Sequence, residues 1–325
     1  MFQFFKSAFF QFEFLRILAM TSFEGGEINE ILITASRIRD QDPKSWFENW
    51  SQGGRAANYF RAAQFMLNEG PIGHDGRVLP TLERAIADFR RGVGLLDGDV
   101  FFLDIPYEGG VSLPGYLYLP PEGKRLPGGR KTPVLVNAGG GDSTQGEIYF
   151  INASTGPGLG YAVLTFDGPG QGVVLRRHGL PMRPHFEVVV GRVLDHLCDF
   201  AARHPETGLD LDRVATTGAS MGGHLCLRGA TDRRVRADAA VLPRMLDYSM
   251  LRPDGSDVLR DVRCPVLVTG AGSSFYFDPE TTTRRILRGL AHLRDDWREE
   301  WIETDEMLGG MQAKIGAFGE PLTTL

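Results

Sequence analysis

The sequence predicts an α/β protein with a doubly wound, mostly parallel sheet, preceded by a helical N-terminal domain. Two observations carry this. Continuous apolar runs PVLVNA, YAVLTF, RVATTG, AAVL and PVLVTG suit strands buried on both faces, and the stretches between them are long enough for crossover helices. Residues 1 to about 97, by contrast, carry helical periodicity and no convincing strand.

Length and composition bound the reading. A chain of 325 residues accommodates a catalytic domain of about 200–250 residues and a smaller partner, here drawn at 98–325 and 1–97. With 42% hydrophobic and 23% charged residues the balance is that of a globular protein. The net charge of -6 offers no basic footprint for nucleic acid. Cys198, Cys226 and Cys264 lack metal-ligand spacing and read as small buried side chains in a reducing, cytoplasmic compartment, with no metal or cofactor expected.

Within the first domain, Phe2, Phe5, Phe9 and Phe12 recur at helical spacing, which predicts an amphipathic helix docked on the fold or on a second subunit rather than on a membrane. Phe60, Ala63 and Leu67 mark one further helix face, and Leu82, Ile86, Phe89 and Val93 another, with the turn-rich GPIGHDGRVLP between them. VFFLDIPYEG and VSLPGYLYLP alternate around Gly109 and Gly110 and predict a hairpin. HFEVVVGRVLDHLCDFAARH and PETTTRRILRGLAHL supply crossover helices.

The chemistry centres on RVATTGASMGGH, in which Gly218, Ala219, Ser220, Met221 and Gly222 form G-x-S-x-G. A β-branched run before it and a helix-compatible segment after it are the context of a nucleophile on a sharp strand-to-helix turn, so Ser220 is the candidate nucleophile. After PVLVNA comes GGGDSTQGE, whose glycines expose a backbone that can aim N–H groups at a developing oxyanion. Gly140 and Gly141, with the N–H of Met221, are the oxyanion candidates; the competing reading is a loop leading to a helix capped by Asp142 or Ser143. TFDGPGQG lacks a following G-K-S/T, so it reads as a structural turn at the carboxyl edge of the sheet and not as a phosphate loop.

GGGDSTQGE, FDGPGQG, LPMRPHFEVVVGRVLDHL and GASMGG, in this order, resemble the FrsA-related branch of the α/β hydrolases, which includes 2,6-dihydroxypseudooxynicotine hydrolase and fungal hydrolases that shorten polyketide chains. FEFLRILAM, ASRIRDQDPKSWFENW and RAANYFRAAQFML resemble that branch's helical domain, with the stretch between Trp50 and Arg55 shortened. The resemblance implies an α/β-hydrolase fold, a pocket roofed by the helical domain, frequent homodimers, and Ser-dependent hydrolysis of an ester or of a carbon–carbon bond next to a ketone. It also matches Asp142 to an acidic position beside the oxyanion loop that some members use near the reacting group.

The sequence departs from that pattern at the rest of the triad. A serine nucleophile takes a His base held by a carboxylate, in the order Ser, Asp/Glu, His. Ser273 and Ser274 stand about where the acid belongs, Asp278 follows four residues later, and no histidine occurs after His292. His178 and His185 are weak candidates for the base; His74, His196, His204, His224 and His292 read as structural or solvated. Three explanations follow: a rearranged base, a site adapted to chemistry that needs no His, or a chain altered or shortened at its C-terminus. The expectation is therefore a hydrolase of a small, polyketide-type metabolite in secondary metabolism, with no nucleic-acid or membrane partner. The alternatives are a lyase, isomerase or cyclase that stabilises an enolate with Asp142 as acid or base, and a silent binding protein of the same fold.

Overall fold

The computed structural model describes residues 3–19, 28–53, 57–67, 72–241, 250–251, 254–272 and 278–304. Helices come first: α1 (Ala8–Ala19), α2 (Ile28–Arg37), α3 (Pro43–Gly53), α4 (Ala57–Phe65) and α5 (Val78–Val93). Their shared core is aromatic, with Phe10, Phe14, Trp46, Trp50 and Tyr59 buried, and Trp46 Nε1 donates to the Ala62 carbonyl at 2.8 Å.

On α1 the buried stripe is only partly the expected one: Phe5, just before the helix, is buried and Phe12 is half-buried. Phe9 is 51% exposed and Phe2 lies outside the described residues, whereas Phe10, Phe14 and Ile17 point inward. Glu13 and Arg16 share that inward side and are also buried. A run rich in phenylalanine offers several apolar faces, and the face chosen here is the one that carries a charged pair to a partner described below.

The sheet has the order β1-β2-β4-β3-β5-β6-β7-β8. β1 (Val100–Pro106) and β2 (Ser112–Tyr118) form the expected hairpin, and β2 pairs antiparallel with β4 (Ala162–Phe166). From there the pairing is parallel through β3 (Thr132–Ala138), β5 (Leu209–Gly218), β6 (Val235–Val241), β7 (Val266–Ala271) and β8 (Arg298–Glu303). All seven positions of β3 and all five of β4 are buried, which explains why these strands read as unbroken apolar runs. The connecting helices are α6 (Gln145–Ile148), α7 (Gly172–His178), α8 (Glu187–Arg203), α9 (Met221–Gly229) and α10 (Thr283–Gly289).

Register places the chemistry. Ala138, the last residue of β3, pairs with Phe166 of β4 on one side and Gly218 of β5 on the other. The AGGGDS, DGPGQG and GASMGG segments therefore leave the carboxyl edge of the sheet side by side, at the place where open α/β sheets bind ligands.

Candidate active site

Ser220 sits between the end of β5 and the start of α9 with φ 59° and ψ -133°. Only Gln41 shares a positive φ among the described non-glycine residues. Such a backbone costs about 1–3 kcal/mol and persists only where its surroundings impose it. Here the turn is imposed by two close approaches. A Cβ on Gly218 would lie 2.3 Å from the carbonyl carbon and oxygen of Gly222, and one on Gly222 would lie 2.4 Å from the Ala138 carbonyl oxygen. Strand, turn and helix can meet this tightly only with glycine at both places. The Ser220 side chain is left exposed, and its hydroxyl has no hydrogen-bond partner among the described residues.

The first glycine loop lies against this turn: a Cβ on Gly140 would come within 3.3 Å of both Ser220 Cβ and the Ala219 carbonyl oxygen. Its orientation is set from behind. Gln171, 1% exposed, donates from Nε2 to the Gly139 carbonyl at 2.5 Å and the Gly140 carbonyl at 3.0 Å, while its Oε1 accepts the Gly168 N–H at 2.9 Å. In a trans peptide the C=O and N–H point opposite ways. Drawing both carbonyls toward Gln171 therefore turns the N–H groups of Gly140 and Gly141 to the other side. The Gly140 N–H meets Ser143 Oγ at 3.1 Å, and Gly141 lines a cavity of about 310 Å³. Met221, as first residue of α9, has an N–H without an intrahelical acceptor.

Neither Asp142 nor Ser143 caps the helix that follows. The N-cap of α6 is Thr144, and its side chain makes no cap bond. Asp142 instead meets Arg16 of α1, Oδ2 to Nη1 at 2.6 Å. Arg16 also bonds Glu13 at 2.9 Å and Glu147 of α6, with Nε to Oε1 at 3.0 Å, and Arg61 of α4 stands 3.7 Å from Glu147. This network ties the helical layer to the oxyanion loop. The surrounding protein disfavours charge on Asp142 although its side chain is 48% exposed, but the Arg16 guanidinium outweighs this and holds the carboxyl below its ordinary range. Asp142 is thus ionised near neutrality and has no proton to give.

Two guanidiniums face three carboxyls here, and the surplus falls on Glu13, whose burial pushes its pKa up to about 7 despite Arg16 and Arg61. The folded state then binds this proton more tightly than the unfolded chain, where 4.5 applies. Stability is expected to decline as pH rises from 4.5 to about 7, by up to about 3 kcal/mol, and to lose nothing more from this group above that. Glu13→Gln, measured by urea denaturation at pH 5 and pH 8 with Asp142, Glu147, Arg16 and Arg61 intact, should flatten that decline. An unchanged slope would show that Glu13 is ionised throughout.

The second glycine turn is more than punctuation. Besides Gln171, it contains Asp167, 1% exposed, whose burial raises its pKa to about 7 while the Val173 N–H at 3.2 Å works the other way. Asp167 also lines a second cavity, of about 500 Å³, together with Phe89, Tyr116 and Tyr149. Both cavities border Leu82 and Thr144, so they lie side by side in the region between helices α4 and α5 and the sheet edge.

No family model matches the chain. It is 50% identical to Alpha/beta hydrolase psoB of Aspergillus fumigatus over 405 aligned positions, covering 97% of this chain and 91% of that protein. To Hydrolyase poxO of Penicillium oxalicum it is 37% identical, covering 98% and 96%. The chain belongs to the α/β hydrolases. Its backbone superposes on 2,6-dihydroxy-pseudo-oxynicotine hydrolase with a TM-score of 0.64 at 15% identity, covering 94% and 92% of the two chains. For AbyA5 the TM-score is 0.62 at 19% identity, covering 94% and 90%. At these identities the likeness speaks for the fold.

The remaining candidates in this hydrolase are scattered. Asp278 is exposed, and Oδ1 accepts the Glu280 N–H at 2.8 Å while its carbonyl receives Thr281 and Thr282, the work of a turn before α10. His178 is exposed at the end of α7. His185 is half-exposed against Glu187, which pairs with the buried Arg228 at 2.7 Å. His224 lies one turn along α9 from Ser220, and burial, reinforced by Arg228, lowers its pKa to about 4. His292 Nε2 is 2.8 Å from the Val262 carbonyl oxygen, away from the elbow. Ser273, Ser274 and residues 305–325 lie outside the described residues. No helix among the described residues is long and apolar enough to cross a membrane.

Sequence reasoning missed Arg16, Glu147 and Gln171. Arg16 was visible only as a charge interrupting an apolar run. Gln171 becomes readable only once β4 is known to lie beside β3, because a glycine-rich turn at the end of that strand must then abut the loop that follows β3.

Proposed function

We propose that this hydrolase uses Ser220 as its nucleophile on a small ketone or ester, its substrates being polyketide-type compounds of secondary metabolism. The observation that carries the reading is Ser220 held at positive φ against a glycine loop whose carbonyls are fixed by Gln171. Ser220 Oγ would add to the carbonyl carbon, and the N–H groups of Gly141 and Met221, with Gly140 once Ser143 yields it, would receive the oxyanion. On collapse the C–C or C–O bond breaks, and the leaving enolate or alkoxide takes up the proton that the Ser220 hydroxyl gave up, passed directly or through a water. Water then cleaves the acyl-serine, giving the acid and restoring Ser220. In this proposal the enzyme acts on a small molecule in the cytoplasm, as a homodimer and without a nucleic-acid or membrane partner.

A second reading, lyase, isomerase or cyclase chemistry on an enolate, is favoured by one observation: no described group accepts the proton of Ser220. In that reading Asp142 could act only as a base, since Arg16 keeps it ionised.

Turnover of a short p-nitrophenyl ester and of an aryl 1,3-diketone, by wild type and Ser220→Ala, tests the proposal. The expected result is Ser220-dependent release of a carboxylic acid, with an ester kcat/KM below about 10⁴ M⁻¹s⁻¹ because backbone donors alone leave a residual acceleration of roughly 10³–10⁴ over water. Equal product from Ser220→Ala would refute it. Faster ester turnover would reveal a base, which His178→Ala, His185→Ala or His224→Ala would then identify.

A further inference from the structure

The cavity beside the oxyanion loop is apolar over most of its wall, through Phe9, Phe65, Leu82 and Leu175, and carries charge at two places, Asp142 and Arg176. The charge of Asp142 is engaged by Arg16. That of Arg176 is not: this partly buried guanidinium has no ion pair or hydrogen bond with any described residue. The neighbouring arginines do have partners. Arg177 pairs with Glu83 at 3.1 Å, Arg61 stands 3.7 Å from Glu147, and Arg16 holds three carboxylates. Burial without a compensating anion also pulls the Arg176 pKa below its ordinary value. Arginine presents a planar fork of donors that matches a pair of oxygens carrying one negative charge.

We infer that Arg176 is a specificity residue that binds an anionic oxygen pair of the substrate, a carboxylate or the enolate of a 1,3-dicarbonyl, in the cavity that Gly141 also lines. The substrate class is then an acidic molecule with an apolar or aromatic body, seated against Phe9, Phe65 and Leu175. The inference rests on the proposed reading of this cleft as the substrate site. The bland role of a cation in the last turn of α7 is shared with Arg177 and His178 and makes no demand on a ligand's charge.

Calorimetric titration of the full chain with 4-phenylbutyrate and with its neutral isostere 4-phenylbutanamide separates these roles without requiring turnover. Charge-assisted hydrogen bonds predict that the acid binds about tenfold or more tighter than the amide. Arg176→Gln should bring the acid to the amide's affinity and leave the amide unchanged, and Arg176→Lys should retain part of the preference. Equal binding of acid and amide by the wild type, or a preference that survives Arg176→Gln, overturns the inference. Loss of Ser220-dependent chemistry with the acid preference intact would instead refute the nucleophile and uphold the subsite.

Discussion

Gln171→Glu is expected to lower kcat by about 10²–10³-fold while leaving KM within roughly a factor of three, on any substrate the wild type turns over. The substitution is selective. A glutamate keeps the oxygen that accepts the Gly168 N–H but removes the N–H donors that hold the Gly139 and Gly140 carbonyls. Two carbonyls would face an anionic acceptor, and the peptides would rotate away from it, carrying the N–H groups of Gly140 and Gly141 off the oxyanion position. Those N–H groups matter only once charge develops, so substrate affinity should be nearly untouched. A protonated glutamate can donate one hydrogen bond, so the variant should recover activity as pH falls, unlike the wild type. A kcat loss with no such recovery, accompanied by an equal loss of stability, would mean that Gln171 merely fills space.

Gly222→Ala should destabilise the fold by about 3 kcal/mol or more, read as a shift in the urea midpoint. Two effects compete. Alanine in a helix ordinarily gains about 1 kcal/mol over glycine. Here the added methyl would stand 2.4 Å from the Ala138 carbonyl oxygen and 2.8 Å from that of Gly139, backbone atoms that cannot swing aside as a side chain would. Parting them means parting β3 from α9, and the steric term wins. A neutral or stabilising result would show that the elbow is looser than these distances say.

The strands and the elbow were legible because each is written locally. A strand buried on both faces must be an unbroken apolar run, and a turn between strand and helix as tight as Gly218 to Gly222 admits little else. The rest of the site depends on register. Gln171 reaches the first glycine loop because β3 and β4 pair in parallel with Ala138 opposite Phe166, which no spacing in the sequence declares. Arg16 and Asp142 lie 126 positions apart, and nothing in the periodicity that located α1 ties a charge on that helix to so distant a loop. That apolar stripes fix helices better than they fix which face turns inward is plain from Phe9, exposed over the cleft, beside Phe10, buried in the core. The triad partners stayed unread for another reason: Asp278 serves a turn, and the described histidines serve helices and loops.

The most direct test of the central claim, that Ser220 is the nucleophile, is labelling of the intact protein with a fluorophosphonate followed by peptide mass spectrometry. The account predicts a single phosphonyl adduct on Ser220, absent from Ser220→Ala and formed more slowly by Gln171→Glu because the phosphonyl oxygen needs the same N–H donors. Labelling of Ser220→Ala at the wild-type rate, or an adduct on any other residue, would contradict it.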